Sequence, residues 1–266
     1  MIGTIRELYR YRVLIQVLVS REIKARYRGS MLGFLWSFLN PLLLMGVYAL
    51  VFSVYMRIDM ENYALFLFCG LLPWLWFSSA ILEGSSSIIG GSTLIKKVLF
   101  PPAVLPIVVV LSNLVHFILG LPVLFVFLIV SGIGVHWWAL YLPIVIILQL
   151  LFTSGLTLML SSLSVHFRDI TQILNSFITL WFFLCPIIYT IDSAKSALHD
   201  KGLDWLIISF TLNPMAQLIS AYQDILFHQR APDWNSLGFV LLIGIIVLWS
   251  GSHIFNHIKW SFSEEV

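Results

Sequence analysis

The sequence contains very little charge. Asp, Glu, Lys and Arg make up 11% of its 266 residues, whereas about 25% is typical of soluble domains. Hydrophobic residues make up 59%, against roughly 45–50% in soluble domains. This composition excludes a water-soluble globular domain and indicates an integral membrane protein. The net charge of +2 is also too small to favour a nucleic-acid partner, which would need a concentrated basic surface.

Motifs for covalent, metal or nucleotide chemistry are also scarce. The two cysteines, Cys69 and Cys185, lie in apolar runs, so we expect neither a disulfide framework nor a CxxC site. A phosphate-binding GxxxxGK[ST] loop is excluded because the sequence has no Gly-Lys dipeptide. His253 and His257 would share one helix face, but no HExxH motif accompanies them. We therefore expect a protein that is not an enzyme, with no catalytic residues and no metal or cofactor of its own.

Long apolar runs are what the sequence contains instead. An α-helix needs about 20 apolar residues to cross roughly 30 Å of hydrocarbon, and it satisfies its own backbone hydrogen bonds. Six segments meet this length without any Asp, Glu, Lys or Arg: 31–56, 63–82, 103–130, 141–163, 173–191 and 236–257. Pro41 predicts an interruption of the first span, and Pro106 and Pro122 predict a tilt or kink of the third. The predicted fold is all-α, with residues 31–257 forming a six-span transmembrane domain.

The distribution of Lys and Arg predicts the orientation of these spans. If the spans alternate in direction, 11 of the 15 Lys and Arg residues lie on the side of the two termini and 4 lie on the other side. Because Lys and Arg are enriched in cytoplasmic flanks, we expect both termini, including the tail 258–266, to be cytoplasmic. The segment 192–235, which this orientation places outside, contains more acidic than basic residues.

Residues 1–30 form a basic segment before the first span. A single helix would place five cations within a sector of about 60°. These cations are Arg6, Arg10, Arg21, Lys24 and Arg28. Val13 and Val17 interrupt the basic sector, so two shorter helices are an alternative. The segment is either a basic flank that sets topology, or an amphipathic interface helix that meets anionic headgroups, pyrophosphate or a soluble partner.

The apolar spans offer little to an ion-coupled carrier. Such carriers normally bury an ionisable residue that binds the coupling ion. His116 is the one such candidate well inside a predicted span, and a hydrogen-bonded packing role is its alternative. If the protein moves a substrate uphill, the energy must therefore come from another chain.

Aromatic residues crowd the second and fifth predicted spans, several of them at mid-membrane depth. They either pack the helices together or line a conduit in which ring faces slide past the CH faces of sugars. The candidate channel aromatics are Trp36, Trp74, Trp76, Phe77, Phe177, Trp181 and Tyr189. Farther along, residues 212–222 predict a capped amphipathic helix after 204–211, which indicates short half-inserted helices before the last span.

Six stretches of the sequence, taken in order, resemble one family of transporters. They are REIKARYRGSMLGFLWSFLNPLL at 21–43, GLLPW at 70–74, KKVLFP at 96–101, FRDI at 167–170, PIIY at 186–189 and NPM at 213–215. Together they resemble the membrane subunit of a type-2 ABC exporter, in particular the O-antigen and teichoic-acid polysaccharide export permeases (Wzm-like). The resemblance covers nearly the whole chain.

The resemblance implies a homodimer of multi-pass permeases in the bacterial inner membrane, docked on two copies of a separate cytoplasmic ABC ATPase that binds ATP and Mg²⁺. The implied cargo is an undecaprenyl-diphosphate-linked glycan such as O antigen. The first and fifth spans would supply much of the dimer seam and channel wall. Export of capsular polysaccharide or teichoic acid remains open, as does a lipid or glycan carrier that needs no ATPase.

The resemblance also implies roles for single residues. Cytoplasmic residues would contact the ATPase or the lipid pyrophosphate, or stabilise the inner turns: Arg21, Lys24, Arg26, Arg28, Lys96, Lys97, Arg168 and Asp169. Short periplasmic gate helices around 206–226 would close the channel from outside. Asn213, Pro214 and Tyr222 are the candidate gate residues.

Overall fold

The computed structural model describes residues 2–26, 28–29, 33–55, 60–97, 100–167 and 169–262, and all regular elements within these ranges are helices. The α-helices are α1 (Ile2–Arg10), α2 (Arg12–Arg26), α3 (Trp36–Ala49), α4 (Tyr63–Ser85), α5 (Ser87–Gly90), α6 (Ser92–Lys97), α7 (Val104–Val130), α8 (Leu142–His166), α9 (Ile170–Phe183), α10 (Ile191–Asp200), α11 (Ile207–Thr211), α12 (Pro214–Leu226) and α13 (Trp234–Ile258). A π-helical stretch, Leu50–Tyr55, continues α3, and 3₁₀ turns occupy Gly33–Leu35, Trp137–Tyr141, Asp204–Leu206 and Lys259–Ser261. The prediction of an all-α chain is confirmed for the described residues.

Four helices are long and apolar enough to cross a membrane. They are α4, α7, α8 with its preceding 3₁₀ turn, and α13, and they coincide with the second, third, fourth and sixth predicted spans. The first and fifth predicted spans correspond to shorter apolar helices, Phe38–Tyr48 within α3 and Ile170–Phe183. At 1.5 Å per residue, the 14 residues of α9 extend only about 21 Å.

The helix of the fifth predicted span, α9, ends at Phe183, eight residues before the predicted end of that span. Pro186 lacks a backbone N–H and disfavours helical backbone at the residue before it, so the helix does not continue to Ile191. The turn that follows is tied to the start of α4, because the hydroxyl of Tyr63 donates to the carbonyl of Ile188 at 2.9 Å.

Several prolines lie within the apolar helices. The helix α3 continues through Pro41, so the predicted interruption is wrong. Pro106 lies in the first turn of α7, where a missing N–H breaks no helical bond, whereas Pro122 lies in the helix interior. Pro73 lies inside α4, and its carbonyl accepts a bond of 2.8 Å from the side chain of Gln149 in α8.

The helix α4 forms the centre of the bundle. Its side chains are apolar on all faces, and most of them are buried against α3, α7, α8, α9 and α12. The largest single packing interface joins α8 and α13. There, a Cβ added at Gly155 would lie 2.6 Å from the backbone nitrogen of Leu248, so the two backbones approach each other as closely as glycine allows.

The N-terminal helices and the last turn of the described residues lie at the same end of the bundle. In α2, Ile15 packs on Val104 and Val108 at the start of α7. Near the other terminus, Phe262 packs in a buried cluster with Ile88 of α5 and residues of α7, α8 and α13. The N-terminal segment consists of two helices joined at Tyr11, which is the alternative that Val13 and Val17 had indicated.

Candidate functional site

Arg26 ties the N-terminal helices to the bundle. It lies at the end of α2, and its Nη2 donates to Glu83 Oε2 at 2.5 Å. Its Nη1 donates to Asn113 Oδ1 at 3.3 Å, and Asn113 Nδ2 donates to the same Glu83 oxygen at 2.9 Å. Three helices, α2, α4 and α7, therefore meet in one polar cluster, which we call the Arg26 cluster (Arg26, Glu83 and Asn113).

The sequence did not identify Glu83 as a site residue. The second predicted span ended at position 82, just before Glu83, but α4 continues to Ser85 and includes Glu83 in its last turn. Asn113 is buried, and its Nδ2 also bonds to the carbonyl of Val109 at 3.1 Å, which fixes the amide within α7. The one signal available in the sequence was a carboxylate next to an apolar run.

Two cavities border Arg26. The first has a volume of about 330 Å³, and its polar lining residues are Arg26, Asn40, Ser79, Asn113 and His116. The second has a volume of about 620 Å³ and lies between α2 and the α4–α6 region. Its charged lining residues are Arg21, Glu22, Arg26 and Glu83. Arg26 therefore lies between an acid-lined cavity and one in which none of the described lining residues is acidic.

The remaining predicted contact residues are not gathered at this cluster. Lys24 lines an apolar groove between α2 and α7 with Ile15 and Leu114, and Arg28 is exposed in the turn after α2. Asp169 is exposed and precedes α9, but its side chain makes no cap bond to the described residues of that helix. Arg168 lies outside the described residues, and for Lys96 and Lys97 only the backbone, in α6, is described.

Five of the seven candidate channel aromatics fall into two groups. Trp74, Trp76 and Phe77 are at most 4% exposed, so they pack inside this single chain, and the indole of Trp76 donates to the carbonyl of Val110. In contrast, Trp36 of α3 and Phe177 of α9 are 43% and 50% exposed. Only the second group presents an aromatic surface that another molecule or a second chain can reach.

The other two channel candidates, Trp181 and Tyr189, form hydrogen bonds near the end of α9. Trp181 is partly buried, and its Nε1 donates to Asn213 Oδ1 at 2.9 Å. The hydroxyl of Tyr189 donates to the carbonyl of Phe183 at 2.7 Å, which closes the turn after α9. The structure thus brings together Trp181 and Asn213, which the sequence had placed in different functional groups.

Asn213 organises the segment before α12. Its Oδ1 caps α12 by accepting from the backbone N–H groups of Met215 and Ala216, at 3.1 and 3.3 Å. Its Nδ2 donates to the carbonyl of Leu184, at the end of α9. Pro214 follows at the first helical position, where its fixed φ favours helix initiation.

Most of α12 is buried, which makes it a core element and not a loosely attached surface helix. It packs on α4, α8 and α13, and its Gln223 Nε2 donates to the carbonyl of Pro186 at 2.8 Å. Tyr222 is fully buried, with its ring edge-on to Phe117 and its hydroxyl bonded to none of the described residues. The predicted capped helix after 204–211 is therefore confirmed, and it is more deeply packed than an interfacial helix.

A polar cavity of about 360 Å³ lies beside α12 at the opposite end of the bundle from the Arg26 cluster. In it Arg230 Nε donates to Asp224 Oδ1 at 2.8 Å. Burial raises the pKa of Asp224, against the effect of Arg230, which lowers it. Burial also lowers the pKa of His228, and the nearby Asp224 opposes that shift.

Comparisons with known proteins identify a family and several relatives of this chain. The family model described as "ABC-2 type transporter" matches residues 13–227. The chain is 43% identical to the O-antigen export system permease protein RfbA of Myxococcus xanthus over 266 residues, covering all of both chains. Two proteins of the same name from Klebsiella pneumoniae are 35% and 34% identical over 252 residues, 94% of each chain.

The family match spans most of the sequence, from α2 to the end of α12. The relative from Myxococcus xanthus aligns over the whole length of both chains, and the two relatives from Klebsiella pneumoniae align over 94% of theirs. On these grounds the chain belongs to the ABC-2 type transporter family.

Proposed function

We propose that the chain is the permease subunit of an O-antigen export system. It would move an undecaprenyl-diphosphate-linked polysaccharide across the bacterial inner membrane, with energy from ATP hydrolysed by a separate ABC ATPase. The observation that carries this proposal is the 43% identity, over the full length of both chains, to a permease of that name. The absence of a phosphate-binding loop from the sequence agrees with ATP hydrolysis on another subunit.

The proposed topology has six spans and two cytoplasmic termini. The packing of Ile15 and Phe262 at the same end of the bundle supports an even number of crossings. The excess of Lys and Arg in the segments of that end supports its cytoplasmic location. In this orientation the Arg26 cluster is cytoplasmic and α10–α12 belong to the periplasmic side.

The proposed assembly is a homodimer with α3 and α9 at its seam. Both helices are short for a bilayer, and α9 leaves Ile173, Phe177 and Leu180 at least half exposed. A second copy would cover such a surface and would extend the wall of a channel. We assign the channel surface to Trp36 and Phe177, with Trp74, Trp76 and Phe77 packed behind it.

The proposed moving parts lie at the two ends of this channel. At the cytoplasmic end, α1, α2, α5 and α6 would contact the ATPase, with the cations of α2 and α6 as contact residues. At the periplasmic end, α11 and α12 would form the gate. Asn213 supports this assignment because it links α12 to the end of α9, a helix of the proposed channel wall.

A complementation experiment tests the proposal. The gene for the chain would be introduced, with the gene for its partner ATPase, into an O-antigen-producing strain that lacks its own export system and retains its synthesis enzymes. We expect the pair to restore surface O antigen and each gene alone to fail. Restoration by the chain without an ATPase would contradict the proposal and favour an independent carrier.

The same strains separate the proposal from its nearest competitors. Lipid-linked glycan that accumulates in the cytoplasm of the strain without the permease would be isolated and its carrier lipid identified. We expect O-antigen repeats on undecaprenyl diphosphate. Export of a capsular polymer or of a teichoic acid, with no export of O antigen, would reassign the cargo within the family.

A further inference from the structure

The Arg26 cluster joins a surface helix to the bundle through one guanidinium. Arg26 and Glu83 lie 57 positions apart in sequence, and the described contacts of the guanidinium are one bond to Glu83 and one to Asn113. A guanidinium carries five N–H donors. Arg26 therefore has donors beyond those two bonds with which to bind another group.

The ion pair between Arg26 and Glu83 is one that another anion can displace readily. The side chains of Arg26 and Glu83 are 30% and 43% exposed, and partly exposed ion pairs are weak. Asn113 differs, because it is buried and holds a second bond to the backbone of α7. If Arg26 leaves Glu83, Asn113 remains in place and still orients the carboxylate.

The neighbouring 330 Å³ cavity is suited to an anion. Asn40, Ser79, Asn113 and His116 line it together with Arg26, and none of its described lining residues is acidic. Phosphate oxygens accept hydrogen bonds from all these side-chain types, and Arg binds them in a bidentate manner. The carboxylate of Glu83 borders the 620 Å³ cavity. An anion in the 330 Å³ cavity would therefore compete with Glu83 for Arg26 from the opposite side.

We propose that Glu83 is an exchangeable counter-ion for Arg26, and that the diphosphate of a polyprenyl-linked substrate in the 330 Å³ cavity displaces it. The exchange transfers Arg26 from Glu83 to the diphosphate and releases the end of α2 from α4. Glu83 and Asn113 are thus positioning residues that act through Arg26. This inference rests on the proposed function, because it assigns a binding site to the lipid end of the proposed cargo.

The first test measures binding of labelled undecaprenyl diphosphate to the permease–ATPase complex in lipid nanodiscs. Removing the competing carboxylate with Glu83→Gln should lower the half-saturating concentration about two- to fivefold, the effect of deleting a weak ion pair. Glu83→Asp should restore wild-type binding, and Arg26→Gln should weaken binding. Glu7→Gln, an exposed acid on α1, is the matched control and should bind as wild type.

Tighter binding is the decisive sign, since a merely structural role for Glu83 predicts unchanged or weaker binding in Glu83→Gln. Unchanged or weaker binding in that variant would therefore overturn the proposal. Nanodiscs of phosphatidylethanolamine, with phosphatidylglycerol or free inorganic diphosphate added, distinguish the sources of the phosphate. Equal competition by phosphatidylglycerol or inorganic diphosphate would overturn the assignment to a polyprenyl-linked diphosphate.

The second test follows the release of α2. Spin labels at Ala25→Cys and Ser86→Cys, which both border the 620 Å³ cavity, report the distance between α2 and the end of α4. Undecaprenyl diphosphate should broaden or lengthen this distance, and Glu83→Gln should do so without lipid. A distance that changes in neither case would contradict the exchange. Loss of O-antigen export is measured separately, by complementation, and bears on the proposed function alone.

Discussion

Asn213 shows how a single side chain holds distant elements together. It binds Trp181 and Leu184 of the α9 region, about 30 residues earlier in the chain, while it caps α12. Such a residue contributes through several modest bonds and not through one strong bond. Its replacement should therefore loosen α12 locally without unfolding the bundle.

We expect Asn213→Ala to destabilise the attachment of α12 by about 2 kcal/mol, from the lost cap and the lost bonds to α9. Hydrogen exchange of the α12 backbone amides should then be roughly 30-fold faster, since 1.4 kcal/mol corresponds to about tenfold. Asn213→Asp keeps the accepting oxygen and should be intermediate. Exposed Asn235→Ala in α13 is the control, and equal exchange rates in the two alanine variants would refute the role of Asn213.

The partly buried carboxyl of Asp224 predicts a pH effect on stability. Its pKa is raised in the folded protein, so the folded state takes up a proton at a higher pH than the unfolded chain does. The wild type should therefore gain stability relative to Asp224→Asn as the pH falls from about 7 towards 4. Thermal melting of both proteins over this range is the measurement, with exposed Asp200→Asn as the control. Parallel melting profiles for wild type and Asp224→Asn would disprove this pH effect.

Sequence reasoning found the side chains with distinctive chemistry but not their partners. Asn213 and Arg26 were both identified, the first from a capping pattern and the second from the resemblance to the export permeases. Glu83 was not, because its role depends on contact with a residue 57 positions away. Pairings of this kind arise from helix packing, which sequence spacing within one helix does not encode.

At the scale of helices, close backbone approach decides how α8 and α13 pack. Gly155 and Gly251 allow contact that any side chain would prevent, since a Cβ at Gly155 would lie 2.6 Å from the backbone of Leu248. Backbone atoms cannot move aside as a side chain can. The two helices would have to separate along their whole interface.

We expect Gly155→Ala to destabilise the protein by about 1–3 kcal/mol, the usual cost of overpacking a core. Gly238→Ala, in α13 with open space around the site, should be neutral or slightly stabilising because Ala favours helix. Thermal unfolding of both variants in detergent compares the two. A Gly155→Ala protein as stable as Gly238→Ala would show that the helices can separate without cost.

The long apolar helices followed from composition, whereas the short elements did not. Apolar runs of 20 or more residues predicted α4, α7, α8 and α13 correctly, because such runs are long enough to cross a membrane as helices. The fifth apolar run is interrupted near Pro186, and the run after α9 forms a turn that the hydropathy pattern does not distinguish from helix. Likewise, the depth of α12 depends on the space left between α4, α8 and α13, which is a property of the assembled bundle.

At the scale of the whole molecule, the proposed homodimer assigns different environments to two exposed apolar positions. Ile173 on α9 is 64% exposed, and Leu242 on α13 is 57% exposed. In the proposed homodimer the first lies at the seam and the second faces lipid. The two positions therefore form a matched pair, equally apolar and nearly equally exposed in one chain.

We expect Ile173→Cys to form cross-linked dimers with a short bismaleimide reagent in membranes, and Leu242→Cys to remain monomeric on a denaturing gel. The native cysteines, Cys69 and Cys185, are fully buried and provide a low background. Equal cross-linking at the two positions, or efficient cross-linking only at position 242, would place the seam elsewhere.

The most direct test of the central claim measures ATP hydrolysis by this chain co-purified with its partner ATPase. The complex would be placed in lipid with and without undecaprenyl-diphosphate-linked O antigen. The account predicts a stable complex whose hydrolysis rate changes when the glycan lipid is added. A chain that purifies alone, or a complex whose hydrolysis does not respond to the glycan lipid, would contradict an ATP-driven O-antigen permease.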